Sequence, residues 1–429
     1  MKTSLAAAAW HGRLLDAGAF ALLALALVLP SGYSIGALML LTAGLLRWPQ
    51  LWRAWREGRA PFGGMGVWAL AIAAMGLAWA MHIVEGGAIL WNGWGVDRCL
   101  KYALVLLALP VFFRLRPGLQ ALRWGCWLGA TGAGLFALWQ MLALGMERAQ
   151  GHTHVAIQFG NIALLLGVWS AVWALHARHA GAHPALRAFG WMAAALGLVA
   201  SVASGSRGGW LALPLLAFML ALLAVALRAR PVRRAAPTLL VATAASLLLL
   251  TLPPVQERMA LAVHEWQQAA DGPVAANTSV GLRRAFWNLA WELGCEHPLV
   301  GTGQLGYERA QEAAIEQGRM PTLATGYEHA HNEWLDVWAK RGLLGCAALA
   351  LFYAVPAVLL RRRWRQALRS APPDAERAAA ALCGLMAVAG YLVFGMTQVM
   401  FAHNNGNLVY LFGVSLWLAA SAPAGEGAA

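Results

Sequence analysis

The sequence predicts an all-α polytopic membrane protein of about 12 transmembrane helices, with one large helical loop on the outer side between helices 9 and 10. Three observations predict it. Hydrophobic residues make up 60% of the 429 and charged residues 12%, about half the charged share of a soluble domain. Mean hydropathy is +0.57. Apolar stretches of membrane-crossing character recur twelve times, centred roughly on 17–31, 33–46, 65–82, 99–113, 120–144, 155–175, 188–204, 209–227, 236–253, 343–360, 379–401 and 405–421. The first run lacks a small-x-small cleavage site in "LVLPSGYS" and a second run follows at once, so it is expected to stay as a helix.

Orientation follows from the cations in the connections. With the N-terminus cytoplasmic, 21 of the 32 Lys and Arg fall in cytoplasmic segments, and only Arg98, Lys101, Arg148 and Arg207 in short outer ones. Both termini are therefore expected in the cytoplasm. The net charge of +13 is explained by this topology and by anionic membrane lipids, and calls for no nucleic acid. Four of the five Cys lie in or beside spans and Cys295 alone lies in the long loop, so no disulfide framework is expected.

The connections divide the chain into 1–253 with helices 1–9, a long outer segment 254–342, and 343–429 with helices 10–12 and a short tail. The long segment reads as an amphipathic helix "VQERMALAVHEWQQAA", a turn "DGPVAANTS" with Thr278 or Ser279 as N-cap, a second helix "VGLRRAFWNLAWELGCEH" and a third, "YERAQEAAIEQG". Leu282, Phe286, Leu289, Ala290 and Leu293 of the second helix recur at helical spacing.

No Asp, Glu, Lys or Arg sits near the middle of any expected span. This weighs against an ion-coupled pump, which needs such groups at depth. The charges gather at the outer ends of the helices instead. Arg207 in "SGSRGGW" stands among Gly and Ser that leave its guanidinium open to an oxyanion; a lipid phosphate is the alternative partner. Arg283 and Arg284 lie in the first turns of a helix and point about 100° apart, so one of them faces any site. Arg148, His152 and His154 precede the sixth span, and the His-x-His lacks a third ligand at metal-site spacing. In "HAHNEW", Asn332 reads as an N-cap with Glu333 and Asp336 in the first turn, which leaves His331 just before a helix start. The dipole there favours neutral imidazole, the form that accepts a proton. His329 and His331 read equally as interfacial polar residues or as a second metal pair.

"RAQGHTHVAIQFGN", "SGSRGGW", "SVGLRRAFWNLAWELGCEHPLVGTGQLGY" and "HAHNEWLDVWAKRGLLG", in this order across twelve spans, resemble the O-antigen ligase and polymerase superfamily. The resemblance covers most of 145–345 by motif. It implies a glycosyltransferase of the Gram-negative inner membrane with a periplasmic site and the long loop in the periplasm. The donor would be O-antigen on undecaprenyl diphosphate and the acceptor a sugar hydroxyl of lipid A-core, joined by inverting transfer with no metal or other cofactor. Carried over by motif, His331 takes the acceptor's proton, Arg207 and Arg283 bind the diphosphate, and Arg148 adds a further contact. Arg284, His329 and Asn332 are supporting positions without an assigned role. The alternatives are O-antigen polymerase, then protein O-oligosaccharyltransferase and, from another class, a transporter of lipid-linked saccharides.

Overall fold

A computed structural model of the chain describes residues 2–56, 63–85, 87–91, 95–153, 155–227 and 278–423, with isolated positions between 256 and 267. The described residues form helices α1 (Lys2–Ala24), α2 (Gly32–Arg56) and α3 (Gly63–Ala80), a hairpin of β1 (Val84–Glu85) and β2 (Ala88–Ile89), and helices α4 (Val96–Leu115), α5 (Leu119–Leu142), α6 (Ala156–His179), α7 (Pro184–Ala203) and α8 (Arg207–Ala226). Beyond the undescribed stretch follow α9 (Ser279–Glu296), α10 (Gly303–Glu316), α11 (Glu333–Arg369), α12 (Ala375–Phe394) and α13 (Asn404–Ala420). The all-α expectation holds apart from the hairpin.

Five of the described helices, α6, α7, α8, α11 and α12, are long and apolar enough to cross a membrane. They fall on the stretches expected at 155–175, 188–204, 209–227, 343–360 and 379–401. The expected span at 236–253, the first amphipathic helix of the long loop and most of the turn after it lie outside the described residues. Several boundaries differ from expectation, two of them by stopping seven residues short. The first helix stops at Ala24, and α12 stops at Phe394 rather than 401. Residues 395–403 are irregular because their backbone groups find partners in other elements, which lets non-helical chain persist beside apolar helices.

A large core unites α1–α8 with α11–α13. A second, smaller core lies in the segment before α11: Leu282, Phe286, Leu289, Ala290 and Leu293 of α9 pack with Tyr307 and Ala314 of α10 and with Ala324, Ala330 and Ala339. The apolar stripe of α9 is the one its spacing predicts, and Thr278 caps the helix by accepting from the Gly281 amide at 3.0 Å. The hairpin places α10, because Glu85 accepts from the Gln304 and Leu305 amides at 2.9 and 2.7 Å. A carboxylate there satisfies amides that have no partner within the helix and complements its dipole.

The two cores meet at a break in α11. Gly342 adopts φ 57°, ψ −154°, in the left-handed region that suits glycine. The amides of Leu343 and Leu344 then donate to Pro298 O and Leu299 O at 2.8 and 3.2 Å. The charged stretch 333–341 thus ends where the apolar stretch begins, at the boundary its composition predicts.

Asn332 caps α11 through the Trp334 and Leu335 amides. The next residue, Glu333, is 1% exposed and reaches across to the α12–α13 connection, where its Oε2 accepts from the Met400 and Phe401 amides at 2.6 and 3.1 Å. Its own amide donates to Gly395 O at 2.7 Å, and Asn332 Nδ2 donates to Met396 O at 3.3 Å. Glu333→Ala should leave two buried amides without acceptors, at about 1–3 kcal/mol each. The expected result is a clear fall in thermal stability in detergent, measured by loss of the monodisperse peak on heating, with Glu333→Gln affected less because it keeps an acceptor.

Candidate active site

The segment 325–332 carries the histidines and is fixed by polar groups of α11. Asp336 Oδ1 accepts from the Ala330 amide at 2.9 Å and pairs with Lys340 at 2.7 Å, both side chains being buried. Lys340 also donates to Glu328 O at 2.7 Å and lies 4.7 Å from the centre of the Tyr307 ring. With the chain tied on both sides, His331 takes φ 51°, a conformation unusual for a residue with a side chain. Such conformations persist where surrounding contacts over-determine them, often at functional sites.

Partners from the α12–α13 connection complete the cluster. His331 Nδ1 lies 2.9 Å from Gln398 Oε1, and Gln398 Nε2 lies 3.4 Å from His403 Nε2. An amide oxygen only accepts, so His331 Nδ1 carries the proton and Nε2 keeps its lone pair. With the Gln398 amide in this orientation, His403 Nε2 accepts from Gln398 Nε2. The His329 ring stands edge-on to His331 with centroids 4.3 Å apart and lies 5.5 Å from His403. Phe286 and Tyr327 flank His331 at 5.6 and 5.4 Å. Among the described residues no group of three His, Cys, Asp or Glu is arranged to hold a metal ion.

The environment keeps these imidazoles neutral. Burial and then the positive charge of Arg283 push His331 down to about 4, against the opposing pull of the Gln398 hydrogen bond. Burial and Arg98 bring His403 to about 4 as well. His329 is held well below the usual value by burial and by its two histidine neighbours.

The cations form two groups. Arg283 lies one helical turn before Phe286 on α9 and acts on His331. It also donates to Ser279 Oγ at 2.8 Å. Arg284 sits one position further round that helix. The second group is at the α7–α8 turn. Arg148 Nε donates to Ser204 O at 2.8 Å, the Ala149 amide donates to Ala203 O at 2.9 Å, and Arg207 opens α8 behind the cap position Ser206. Ser206 is held by Asn161, its Oγ donating to Oδ1 at 2.8 Å. Two guanidinium groups beside a helix N-terminus suit an anion. Gly208 joins the groups: a Cβ there would lie 1.9 Å from Thr397 Oγ1, beside Gln398.

The structure thus brings His331, His329 and Arg283 together and gathers Arg148 and Arg207 at a neighbouring turn. His152 belongs to neither group, its ring lying 4.6 Å from the centre of Phe136, and His154 lies outside the described residues. Three residues of the site were missed in the sequence. Gln398 falls inside the span expected at 379–401 and His403 in the short connection after it, although "MTQVMFAHNN" is a polar interruption that marks them. Arg98 counted only as an outer cation. It is 2% exposed, donates to Ala402 O at 2.5 Å, and lines a cavity of about 350 Å³ with His329, His403 and Asn404.

Residues 192–350 match the family model described as O-Antigen ligase, which supports the O-antigen ligase superfamily. The matched segment takes in Arg207, Arg283 and His331 and ends before Gln398. A protein of Haemophilus influenzae named only as uncharacterized is 26% identical over 284 residues, 65% of this chain and 67% of its own.

The lowered histidines imply a definite pH response. An unfolded histidine takes up a proton near pH 6.5, whereas His331 and His403 in the fold do so near 4. Between those values the unfolded state binds more protons, so stability falls as pH falls from about 6.5 toward 4. Melting curves in detergent across that window should show the loss, and His403→Gln should make it shallower.

Proposed function

We propose, on the premise that a chain whose residues 192–350 carry an O-antigen ligase domain works as that superfamily does, that the protein transfers O-antigen from undecaprenyl diphosphate to a sugar hydroxyl of lipid A-core. The observation that carries the reading is His331, whose Nδ1 is committed to Gln398 and whose Nε2 lone pair is left as the base. Its low basicity suits the chemistry. The acceptor hydroxyl needs to lose its proton only as its oxygen attacks the anomeric carbon, and diphosphate is already a good leaving group.

In this reading the hydroxyl proton passes to His331 Nε2 while the acceptor oxygen bonds to C1. The C1–O bond to the diphosphate breaks, its electron pair stays on the phosphate oxygen, and the configuration at C1 inverts in one displacement. Arg283 and Arg207 neutralise the charge growing on the diphosphate, with Arg148 adding a contact from the α7–α8 turn. Fixed guanidinium groups can do there what a divalent cation does elsewhere. The site would face the periplasm from the inner membrane, in keeping with the distribution of Lys and Arg, and 254–342 would be the loop that carries part of it. An O-antigen polymerase would use the same groups with a second lipid-linked repeat as acceptor, so the acceptor is the discriminating variable.

The purified chain, reconstituted with undecaprenyl diphosphate O-antigen and either lipid A-core or a second donor, should elongate lipid A-core. Elongation of the second donor alone would make it a polymerase, and export without transfer would make it a transporter. His331→Gln should lower turnover by about 10²–10⁴-fold, the scale of general-base catalysis, while leaving donor binding in place. Arg207→Ala and Arg283→Ala should each weaken donor use, and EDTA should leave the wild-type rate unchanged.

A further inference from the structure

A second cavity opens beside the histidine cluster. One wall is a single face of α10: Glu308, Gln311, Glu312, Ile315 and Glu316 recur at helical spacing and line about 380 Å³ of space. The other wall is 325–328, where Gly326, Tyr327 and Glu328 also line the cavity that holds His329 and His403. Tyr327 is therefore common to both cavities and lies against His331, with ring centres 5.4 Å apart. Tyr327 as a residue is 41% exposed. The volume is within the range of clefts that hold small ligands, about 300–1,000 Å³.

The charged groups of this cavity are acceptors. Four carboxylates line the cavity, and no Lys or Arg is among its described lining residues. Beneath them Gln311, 4% exposed, donates through Nε2 to Ala324 O and Tyr327 O at 2.9 and 2.8 Å. This fixes its amide and leaves Oε1 a buried acceptor with no hydrogen-bond partner. A buried acceptor of that kind favours a donor supplied by a ligand. Carboxylates and an amide oxygen accept from hydroxyl groups, an exposed aromatic face beside them suits the C–H face of a sugar ring, and the negative charge repels carboxylate or phosphate.

We infer that this groove is a saccharide subsite for uncharged, hydroxyl-bearing sugar units of the glycan handled at His331, and that it selects against uronate- and phosphate-bearing glycans. The inference rests on the glycosyl-transfer reading for its connection to His331, but binding can be measured without transfer. The glycan belongs either to the donor or to the acceptor, and the test separates the two.

The full chain in nanodiscs would be titrated by saturation-transfer NMR with lipid-free O-glycan, released by mild acid from lipopolysaccharide of the producing cells. A second titration would use the same glycan after oxidation of its primary hydroxyls to uronates, and a third the released core oligosaccharide. Native glycan should bind about tenfold more tightly than its oxidised form, a factor worth about 1.4 kcal/mol. Glu312→Gln/Glu316→Gln, made at exposed positions, should shrink that ratio to near unity, and Tyr327→Ala should weaken binding of the native glycan. Saturation of O-glycan protons assigns the groove to the donor, and of core protons to the acceptor. Equal affinity of wild type and both variants for every glycan, or oxidised glycan bound as tightly as native, overturns the subsite. Glycan binding that responds to the variants in a chain that transfers nothing would leave the subsite standing and remove the transferase reading.

Discussion

The Glu333 carboxylate holds the site together. By accepting from the Met400 and Phe401 amides while its own amide reaches Gly395 O, it fastens the start of α11 to the α12–α13 connection. His331 lies two residues before it in sequence and Gln398 two residues before Met400. The hydrogen bond that sets the His331 tautomer therefore depends on this clamp. The same connection receives Asn161 Nδ2 at Met400 Sδ, Gln158 at Val399 O and Arg98 at Ala402 O, so groups from α4, α6 and α11 converge on nine residues of irregular chain. Irregular backbone beside apolar helices requires such convergence, because each unpaired amide there would be costly.

Buried charge is arranged for position rather than for stability. Asp336 and Lys340 pair at 2.7 Å with almost no exposure, and such a pair gains little net free energy once desolvation is counted. Each member also holds backbone of the histidine segment, Asp336 at the Ala330 amide and Lys340 at Glu328 O. Arg341 lies over Trp79, 3.5 Å from the ring centre, which favours a cation that has left water. The net effect is to lock 325–332 in place and so to keep His331 at its unusual φ.

Much of the helical frame was legible in the sequence, because apolar runs, the Asn332 and Thr278 caps and the α9 stripe are local signals. The polar-to-apolar change at Gly342 was legible too, though the backbone break and the strand of chain that fills it were not. The cations and His331, whose motifs are contiguous, were legible as candidates. Gln398, His403 and Arg98 were not, since each becomes part of the site only through contacts with positions distant in sequence. Hydropathy alone extends α12 across 395–401, because Met396, Val399, Met400 and Phe401 read as lipid-facing when the carboxylate that accepts from the Met400 and Phe401 amides is 67 and 68 residues away. The hairpin had no signal beyond two residues per strand, and its function in seating α10 depends on Glu85 finding two amides more than 200 positions later.

The small core around α9 and α10 has an evolutionary consequence. Its apolar residues are separate from those of the main core, and the exposed face of α10 carries neither His331 nor the clamp that seats it. Substitutions at Glu312 or Glu316 can accumulate without disturbing the bundle. On the glycan reading proposed above, which sugars the groove admits can therefore change by substitution on one short helix while the histidine cluster and its clamp stay as they are.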